Sequence, residues 1–155
     1  MAHHITKSFN FEAAHVLPNY GGNCSRLHGH SYKLDVTVSG PLETAGSDRS
    51  MVLDFSKLSE VVKKLIVDVC DHRLLSARRH EPHVRALVDG GIPPNDIVVL
   101  DIPRTTAECL SKHFFEILQS HLEPTIIVDS VTVWETATGR ATFVRPPVQV
   151  HQKGI

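Results

Sequence analysis

Three histidines stand where paired strands would bring their rings together. His28 and His30 are two residues apart in an alternating apolar segment, so a strand there points both imidazoles to the same face. His15 ends the preceding alternating segment and would lie beside them if the two strands pair. Three neutral imidazoles with an open fourth position are typical of a catalytic zinc site, whereas structural zinc sites more often include thiolates. Spacing alone leaves open a simpler alternative, in which His28 and His30 merely cap a strand and bind no metal.

Cys24 precedes His28 by four residues, in a loop whose Gly21-Gly22-Asn23 run is typical of a turn. The spacing is not that of a zinc finger. The thiol could therefore be a fourth metal ligand, a proton-abstracting base or an inert side chain. Arg26 and a bound cation would each favour the thiolate, which fits the role of a base.

Asp71 and His72 directly follow a predicted helix. A histidine oriented by a carboxylate is the usual form of a general acid or base. In the alternative, His72 compensates the negative end of the helix dipole while Asp71 lies in a turn. Adjacency in sequence, taken alone, favours this simpler interpretation.

Glu135 ends an apolar strand, on the face that carries Val131 and Val133. An inward carboxylate needs a partner, and the amide–amidine edge of a heterocycle would offer it two N–H donors. Alternatively, the strand ends there and Glu135 is solvated. Glu108 has a structural explanation of its own, because Thr105-Thr106-Ala107-Glu108 matches the helix capping box.

These side chains depend on a predicted succession of strands and helices. Strands are expected at 6–15, 28–39, 97–100, 126–135 and 142–144, and helices at 56–70 and about 105–122. The polar segment 76–96 predicts an irregular excursion with one helical turn near 83–88. This order predicts an α+β domain with its helices on one face of an antiparallel sheet.

Length and composition exclude several classes of function. The 155 residues fit a single domain, 1–155, and 41% apolar residues are typical of a globular protein. A formal net charge of −1 argues against a strongly basic nucleic-acid clamp. Neither a membrane-spanning apolar run nor the apolar core of a signal peptide is present, so no membrane partner is expected. Three cysteines without disulfide-like spacing predict a reducing, cytoplasmic location.

Six segments, in order, are similar to the signature of the 6-pyruvoyl-tetrahydropterin synthase family, and they extend from about Thr6 to Val144. They are Phe9-x-Phe11-x-Ala13-Ala14-His15, Cys24-Ser25-Arg26-Leu27-His28-Gly29-His30-Ser31-Tyr32, Met51-Val52-Leu53-Asp54-Phe55-Ser56-Lys57-Leu58, Asp71-His72-x-x-Leu75, Thr106-Ala107-Glu108 and Val133-Trp134-Glu135-Thr136. Any one of these segments would be a weak signal, but six in register are specific.

The resemblance implies a tunnelling fold, with a four-stranded antiparallel sheet and two helices packed on one face. Subunits of this family assemble as trimers whose sheets close a β-barrel, and two trimers stack into a hexamer. A homohexamer is therefore expected. Because the family's active sites lie between subunits, Cys24 is expected to meet Asp71 and His72 across an interface.

The resemblance also assigns a role to each candidate residue. The implied ligands of Zn²⁺ are His15, His28 and His30, the implied catalytic residues are Cys24, Asp71 and His72, and the implied substrate-binding residues are Thr106, Glu108 and Glu135. Cys24 would be the base, and His72, oriented by Asp71, would be its proton-relay partner. Glu135 would anchor a pterin ring.

The implied substrate is 7,8-dihydroneopterin triphosphate, on which two branches of the family act differently. The biopterin branch forms 6-pyruvoyltetrahydropterin. The deazapurine branch also releases acetaldehyde and forms 6-carboxytetrahydropterin, a precursor of queuosine and related deazapurines. The short Cys24-x-x-x-His28 spacing resembles the deazapurine branch, which we therefore expect. The pyruvoyl-forming reaction and a non-catalytic zinc-stabilised module are the alternatives.

The 76–96 excursion is longer than in compact members of the family. Its Arg78, Arg79, His80 and Arg85 could contact a triphosphate. A solvated basic loop is the simpler interpretation.

Overall fold

Six strands form one sheet in the computed structural model, which describes residues 3–147. They are β1 (His3–His15), β2 (His28–Gly40), β3 (Arg73–Ala77), β4 (Ile97–Leu100), β5 (Ile127–Trp134) and β6 (Arg140–Val144). Their order across the sheet is β4-β3-β1-β2-β5-β6. In the run β1-β2-β5-β6 each strand is antiparallel to its neighbour, whereas β3 runs parallel to β1 and β4 runs parallel to β3.

The expected four-stranded antiparallel sheet is therefore only the larger part of a mixed sheet. No strand was predicted at β3, where Leu74, Leu75, Ser76 and Ala77 are all buried. A strand covered on both faces shows no alternation of apolar and polar residues, which is typical of parallel pairing. The short strand predicted at 97–100 is confirmed as β4, and its parallel pairing with β3 extends the sheet.

Three helices accompany the sheet. Helix α1 (Phe55–Val62) continues through a π-helical segment, Lys63–Val67, into the last turn, Asp68–Cys70, so the predicted helix at 56–70 is confirmed. Helix α2 spans Glu81–Asp89 and helix α3 spans Ala107–His121. Within the predicted excursion at 76–96, the helical turn near 83–88 is confirmed as part of α2. The irregular course predicted for the rest is wrong, because residues 76 and 77 complete β3 and α2 is a regular helix of nine residues. Pro82 lies in the first turn of α2, where a missing N–H costs no helical hydrogen bond.

The core lies between one face of the sheet and helices α1 and α3. Apolar side chains from β1, β2 and β5 join those of the two helices in a single buried cluster. Within it, Phe11 stacks on Tyr32 with 5.0 Å between ring centroids and meets Phe114 edge to face. This packing fixes the positions of β1 and β2, which carry the candidate metal ligands.

The other face of the sheet is polar. Hydroxyl and carboxylate side chains pair across its strands, as in Thr6 with Thr37, Ser8 with Asp35, and Thr132 with Thr142. Among the described residues, no helix combines the length and apolar character that crossing a membrane requires.

Candidate functional site

Pairing of β1 with β2 brings the three histidines together. His15 lies directly opposite His28, and His30 lies opposite Ala13, two residues further along the same face. The Nε2 atom of His15 is 3.1 Å from Nε2 of His28 and 3.2 Å from Nε2 of His30. Ligand atoms of all three rings lie within 4.8 Å of one another, so the group could hold a metal ion.

Backbone carbonyls set the tautomers of two of these rings. Nδ1 of His15 donates to the carbonyl oxygen of Thr105 at 2.7 Å, and Nδ1 of His28 donates to that of Arg26 at 2.7 Å. Because a carbonyl oxygen only accepts, each Nδ1 carries the hydrogen and each Nε2 presents a lone pair. Two lone pairs that face each other at 3.1 Å repel unless a cation lies between them. The donor set and its outer hydrogen bonds therefore fit a divalent metal.

Burial favours the neutral form of two of these imidazoles, His15 and His30. His15 is 1% exposed, and burial lowers its pKa to about 4, with the Thr105 carbonyl opposing the shift and the other two histidines adding to it. Burial also lowers the pKa of His30, as does the neighbouring His28. Neutral imidazole is the form that binds a metal, so the rings are ready for one at neutral pH.

Cys24 lies beside this cluster, in a 3-10 turn formed by Asn23–Ser25. Its carbonyl accepts a hydrogen bond from the backbone N–H of Leu17 at 2.9 Å, which ties the turn to the end of β1. The side chain is half-buried. Burial raises the pKa of Tyr32, and the charges of Glu135 and Cys24 raise it further, which puts both groups close to the Tyr32 phenol.

Asp71 and His72 form a pair at the edge of β1. One oxygen of Asp71 accepts from the Glu12 N–H at 2.8 Å, and the other lies 2.9 Å from Nδ1 of His72. His72 adopts a left-handed φ of 56° and donates its own N–H to the Glu12 carbonyl. The Glu12 N–H and the His72 ring hold the pKa of Asp71 below its usual range. The imidazole is thus oriented by a carboxylate while 78% of its side chain stays exposed.

A cavity of about 460 Å³ has both His30 and His72 in its lining. Its other polar side chains are Glu12, Ser31, Arg73 and Asp96. Within residues 3–147, however, no hydrogen bond or ion pair joins Cys24 to Asp71 or His72.

Glu135 follows β5 and is half-buried next to the histidines. Burial raises the pKa of Glu135, and the nearby Glu108 raises it further, whereas His28 and the N–H of Ala107 lower it. The two carboxylates are near enough to repel each other, and no ion pair among the described residues involves either of them. Such a pair offers acceptors to a ligand rich in N–H donors.

The capping-box explanation of Glu108 is wrong. The N-cap of α3 is Thr106, not Thr105, and its hydroxyl accepts from the Cys109 N–H. Glu108 then falls one position short of the capping-box position and is exposed. Thr105 is instead buried, with its carbonyl holding His15.

Sequence reasoning missed two contributors to this site. Tyr32 packs in the core beside His15 and His30, and its buried hydroxyl has no hydrogen-bond partner among the described residues. Its position two residues after His30 on the same strand face was a usable signal. The Thr105 carbonyl left no signal, because a backbone acceptor does not depend on the residue type.

Comparisons with known proteins show which sequences and folds this chain resembles. A model of the family described as 6-pyruvoyl tetrahydropterin synthase matches residues 4–146. The chain is 36% identical over 137 residues to the 6-carboxy-5,6,7,8-tetrahydropterin synthase of Haemophilus influenzae, with 86% of this chain and 93% of that protein covered. It is 36% identical over 143 residues to the protein of the same name from Synechocystis sp., with 92% and 93% covered. The 6-pyruvoyl tetrahydropterin synthase structure from Plasmodium vivax, at 20% identity, shares the fold with a TM-score of 0.71 over 94% of this chain and 98% of that chain.

Proposed function

The chain belongs to the 6-pyruvoyl tetrahydropterin synthase family, and we propose that it converts 7,8-dihydroneopterin triphosphate to 6-carboxy-5,6,7,8-tetrahydropterin. One water molecule is consumed, and acetaldehyde and triphosphate are the other products, which makes the enzyme a lyase. The observation that carries this proposal is the joint placement of the three-histidine cluster and the Glu135–Glu108 pair. A pterin bound through its ring to the carboxylates would direct its hydroxylated side chain to the cluster.

His15, His28 and His30 are the proposed zinc ligands. The fixed tautomers of His15 and His28 and the lowered pKa values of His15 and His30 support this assignment, and three nitrogen ligands leave a position for substrate. When bound, zinc supplies a Lewis acid that polarises the side-chain oxygens of the substrate.

Glu135 is the proposed anchor of the pterin ring. The pterin amide–amidine edge presents two adjacent N–H donors, which a carboxylate accepts side by side. Burial without a cationic partner raises the pKa of Glu135, and such a donor edge would supply the missing interaction. Glu108 lies near Glu135, and Thr106, the N-cap of α3, precedes Glu108 by two residues. Both are proposed to bind the rest of the pterin edge.

Cys24 is the proposed base, and His72, oriented by Asp71, is its proposed proton-transfer partner. Since no contact joins them within the described part of one chain, we place Cys24 of one copy against His72 of another. The fixed orientation and high exposure of the His72 ring support a role at a surface that a second copy covers. Within residues 3–147 the outer edges of β4 and β6 have no partner strand, which likewise favours assembly, and we propose a hexamer built from two trimers.

The carboxy-forming branch is preferred for two reasons. Cys24 and His28 are separated by only three residues. The relatives at 36% identity are named as 6-carboxytetrahydropterin synthases. The product would enter the cytoplasmic synthesis of deazapurines of the queuosine type.

A comparison of two variants tests the function. Cys24→Ala should keep its zinc and its melting temperature and lose turnover of 7,8-dihydroneopterin triphosphate. A double variant, His28→Ala with His30→Ala, should lose both zinc and turnover. Full turnover by Cys24→Ala would refute the assignment of the base, and an active zinc-free double variant would refute that of the metal.

A further inference from the structure

A second cleft lies next to the proposed active site and differs from it in chemistry. Pro18, Asn19, Arg79, His80 and Arg104 line a space of about 430 Å³. We refer to it as the basic cleft. The pterin and metal sites use none of these five residues.

Two buried nitrogen atoms in the basic cleft have no hydrogen-bond partner among the described residues. They are Nε2 of His80 and Nε of Arg104. The Arg104 side chain is held in place, because its Nη2 donates to the Pro18 carbonyl at 2.9 Å and its guanidinium lies 5.8 Å from the centre of the Tyr20 ring. A buried donor without an acceptor costs free energy. An acceptor entering the cleft would remove that cost.

The charge of the basic cleft is not neutralised. Arg78 pairs with Asp101 at 3.1 Å, but no ion pair among residues 3–147 involves Arg79 or Arg104. Burial lowers the pKa of His80, and the charges of Arg79 and Arg104 lower it further, so both guanidinium groups act on the same ring. Positive charge converging on unpartnered donors is suited to an anion with several oxygens.

The chain connects the basic cleft directly to the proposed active site. Arg104 precedes Thr105, whose carbonyl holds His15. Pro18 lies in the segment between His15 and Cys24, and Arg104 binds its carbonyl. An anionic tail attached to a molecule at the histidine cluster would therefore have a receptor close by.

We propose that the basic cleft binds the triphosphate group of the substrate through Arg79, His80 and Arg104. This inference rests on the proposed function, because only a substrate with a polyphosphate tail needs such a receptor. The guanidinium of Arg104 presents Nε to phosphate oxygens while Nη2 keeps its contact with Pro18. Arg79 supplies a second positive charge from the turn Arg78–His80, which follows β3.

Binding of inorganic triphosphate to the metal-loaded protein, measured by calorimetry, tests the proposal. Arg79→Gln should weaken binding about tenfold, the loss expected for a hydrogen-bonded charged group. Arg104→Gln should weaken it at least as much. Arg78→Gln is the matched control, because Arg78 already pairs with Asp101, and it should stay within about twofold of the wild type. Zinc content and melting temperature are checked for every variant, since triphosphate can chelate zinc.

Equal binding by the wild type, Arg79→Gln and Arg104→Gln, or no binding by the wild type, would overturn the proposal. Kinetics then separate it from the proposed function. If the enzyme turns over its substrate, Arg79→Gln should raise KM with little change in kcat. An unchanged KM would overturn the assignment of the basic cleft to triphosphate and leave the proposed function intact. If no turnover occurs but triphosphate binding depends on Arg79 and not on Arg78, the proposed reaction fails while the anion receptor is supported.

Discussion

The Nε2 atoms of His15 and His28 lie 3.1 Å apart, and each ring donates its Nδ1 hydrogen to a backbone carbonyl. Neither Nε2 therefore has a hydrogen to offer the other, and the two lone pairs face one another. The sheet register creates this close contact, because His15 and His28 are direct partners across β1 and β2. A bound cation converts a repulsive arrangement into a set of ligands.

Removal of two ligands should therefore abolish metal binding. We expect wild-type protein to hold about one zinc ion per chain and the His28→Ala, His30→Ala double variant to hold almost none. Metal content by mass spectrometry is the measurement. His121→Ala is the control, because His121 lies at the end of α3 and bonds only to its own helix. Full zinc content in the double variant would contradict the assigned ligands.

Glu135→Gln should harm substrate binding far more than folding. The amide keeps one acceptor but loses the charge and replaces the other acceptor with a donor that faces the N–H groups of the ligand. We expect KM to rise at least about tenfold, in line with the loss of a charged hydrogen bond. The melting temperature should change by no more than a few degrees. Glu116→Gln, on the exposed face of α3, is the matched control. Equal losses in binding and stability would instead make Glu135 a structural residue.

Asp71 should make stability depend on acidic pH. Its pKa is lowered in the folded state by the Glu12 N–H and by His72, so the folded state holds fewer protons than the unfolded state as pH falls. The carboxylate thus contributes stability above its unfolded pKa of about 4, and the contribution is lost as pH falls through the lower folded pKa. The melting temperatures of wild type and Asp71→Asn should differ at pH 6, and the difference should shrink as pH falls below about 4. A constant difference over that range would show that the charge plays no part.

Shared active sites should allow two inactive variants to restore each other. Cys24→Ala and His72→Ala should each be inactive, yet oligomers assembled from equal amounts of both should recover about a quarter of wild-type activity, since random mixing leaves that fraction of sites intact. Light scattering should show a hexamer of 17.2 kDa chains. No recovery in proven mixed oligomers, or a monomer at micromolar concentration, would contradict the shared site.

Period-2 and helical patterns were sufficient to predict much of the fold and the histidine cluster. Phe9, Phe11 and His15 alternate along β1 with polar residues, and this alternation both defines the strand and puts His15 on the same face as His28 and His30. Helix α3 was equally clear from its apolar stripe. In such segments the buried face and the exposed face differ in residue type, so the sequence predicts both the element and the face on which each residue lies.

Other features depend on tertiary contacts that leave no local pattern. Strand β3 is buried on nearly every residue, so it lacks alternation, and its parallel neighbours come from distant parts of the chain. The partner of His15 is a carbonyl 90 residues away. The basic cleft brings together Arg79 and His80, which follow β3, and Arg104, which follows β4. From the sequence, a triphosphate contact was considered for Arg78, Arg79, His80 and Arg85, with a solvated basic loop as the simpler interpretation, and Arg104 was not included.

Identification of the product tests the central claim most directly. Zinc-loaded protein is incubated with 7,8-dihydroneopterin triphosphate, the pterin product is identified by mass spectrometry, and acetaldehyde is assayed in parallel. We predict 6-carboxytetrahydropterin with an equal amount of acetaldehyde. Formation of 6-pyruvoyltetrahydropterin without acetaldehyde, or absence of turnover with zinc bound, would contradict it.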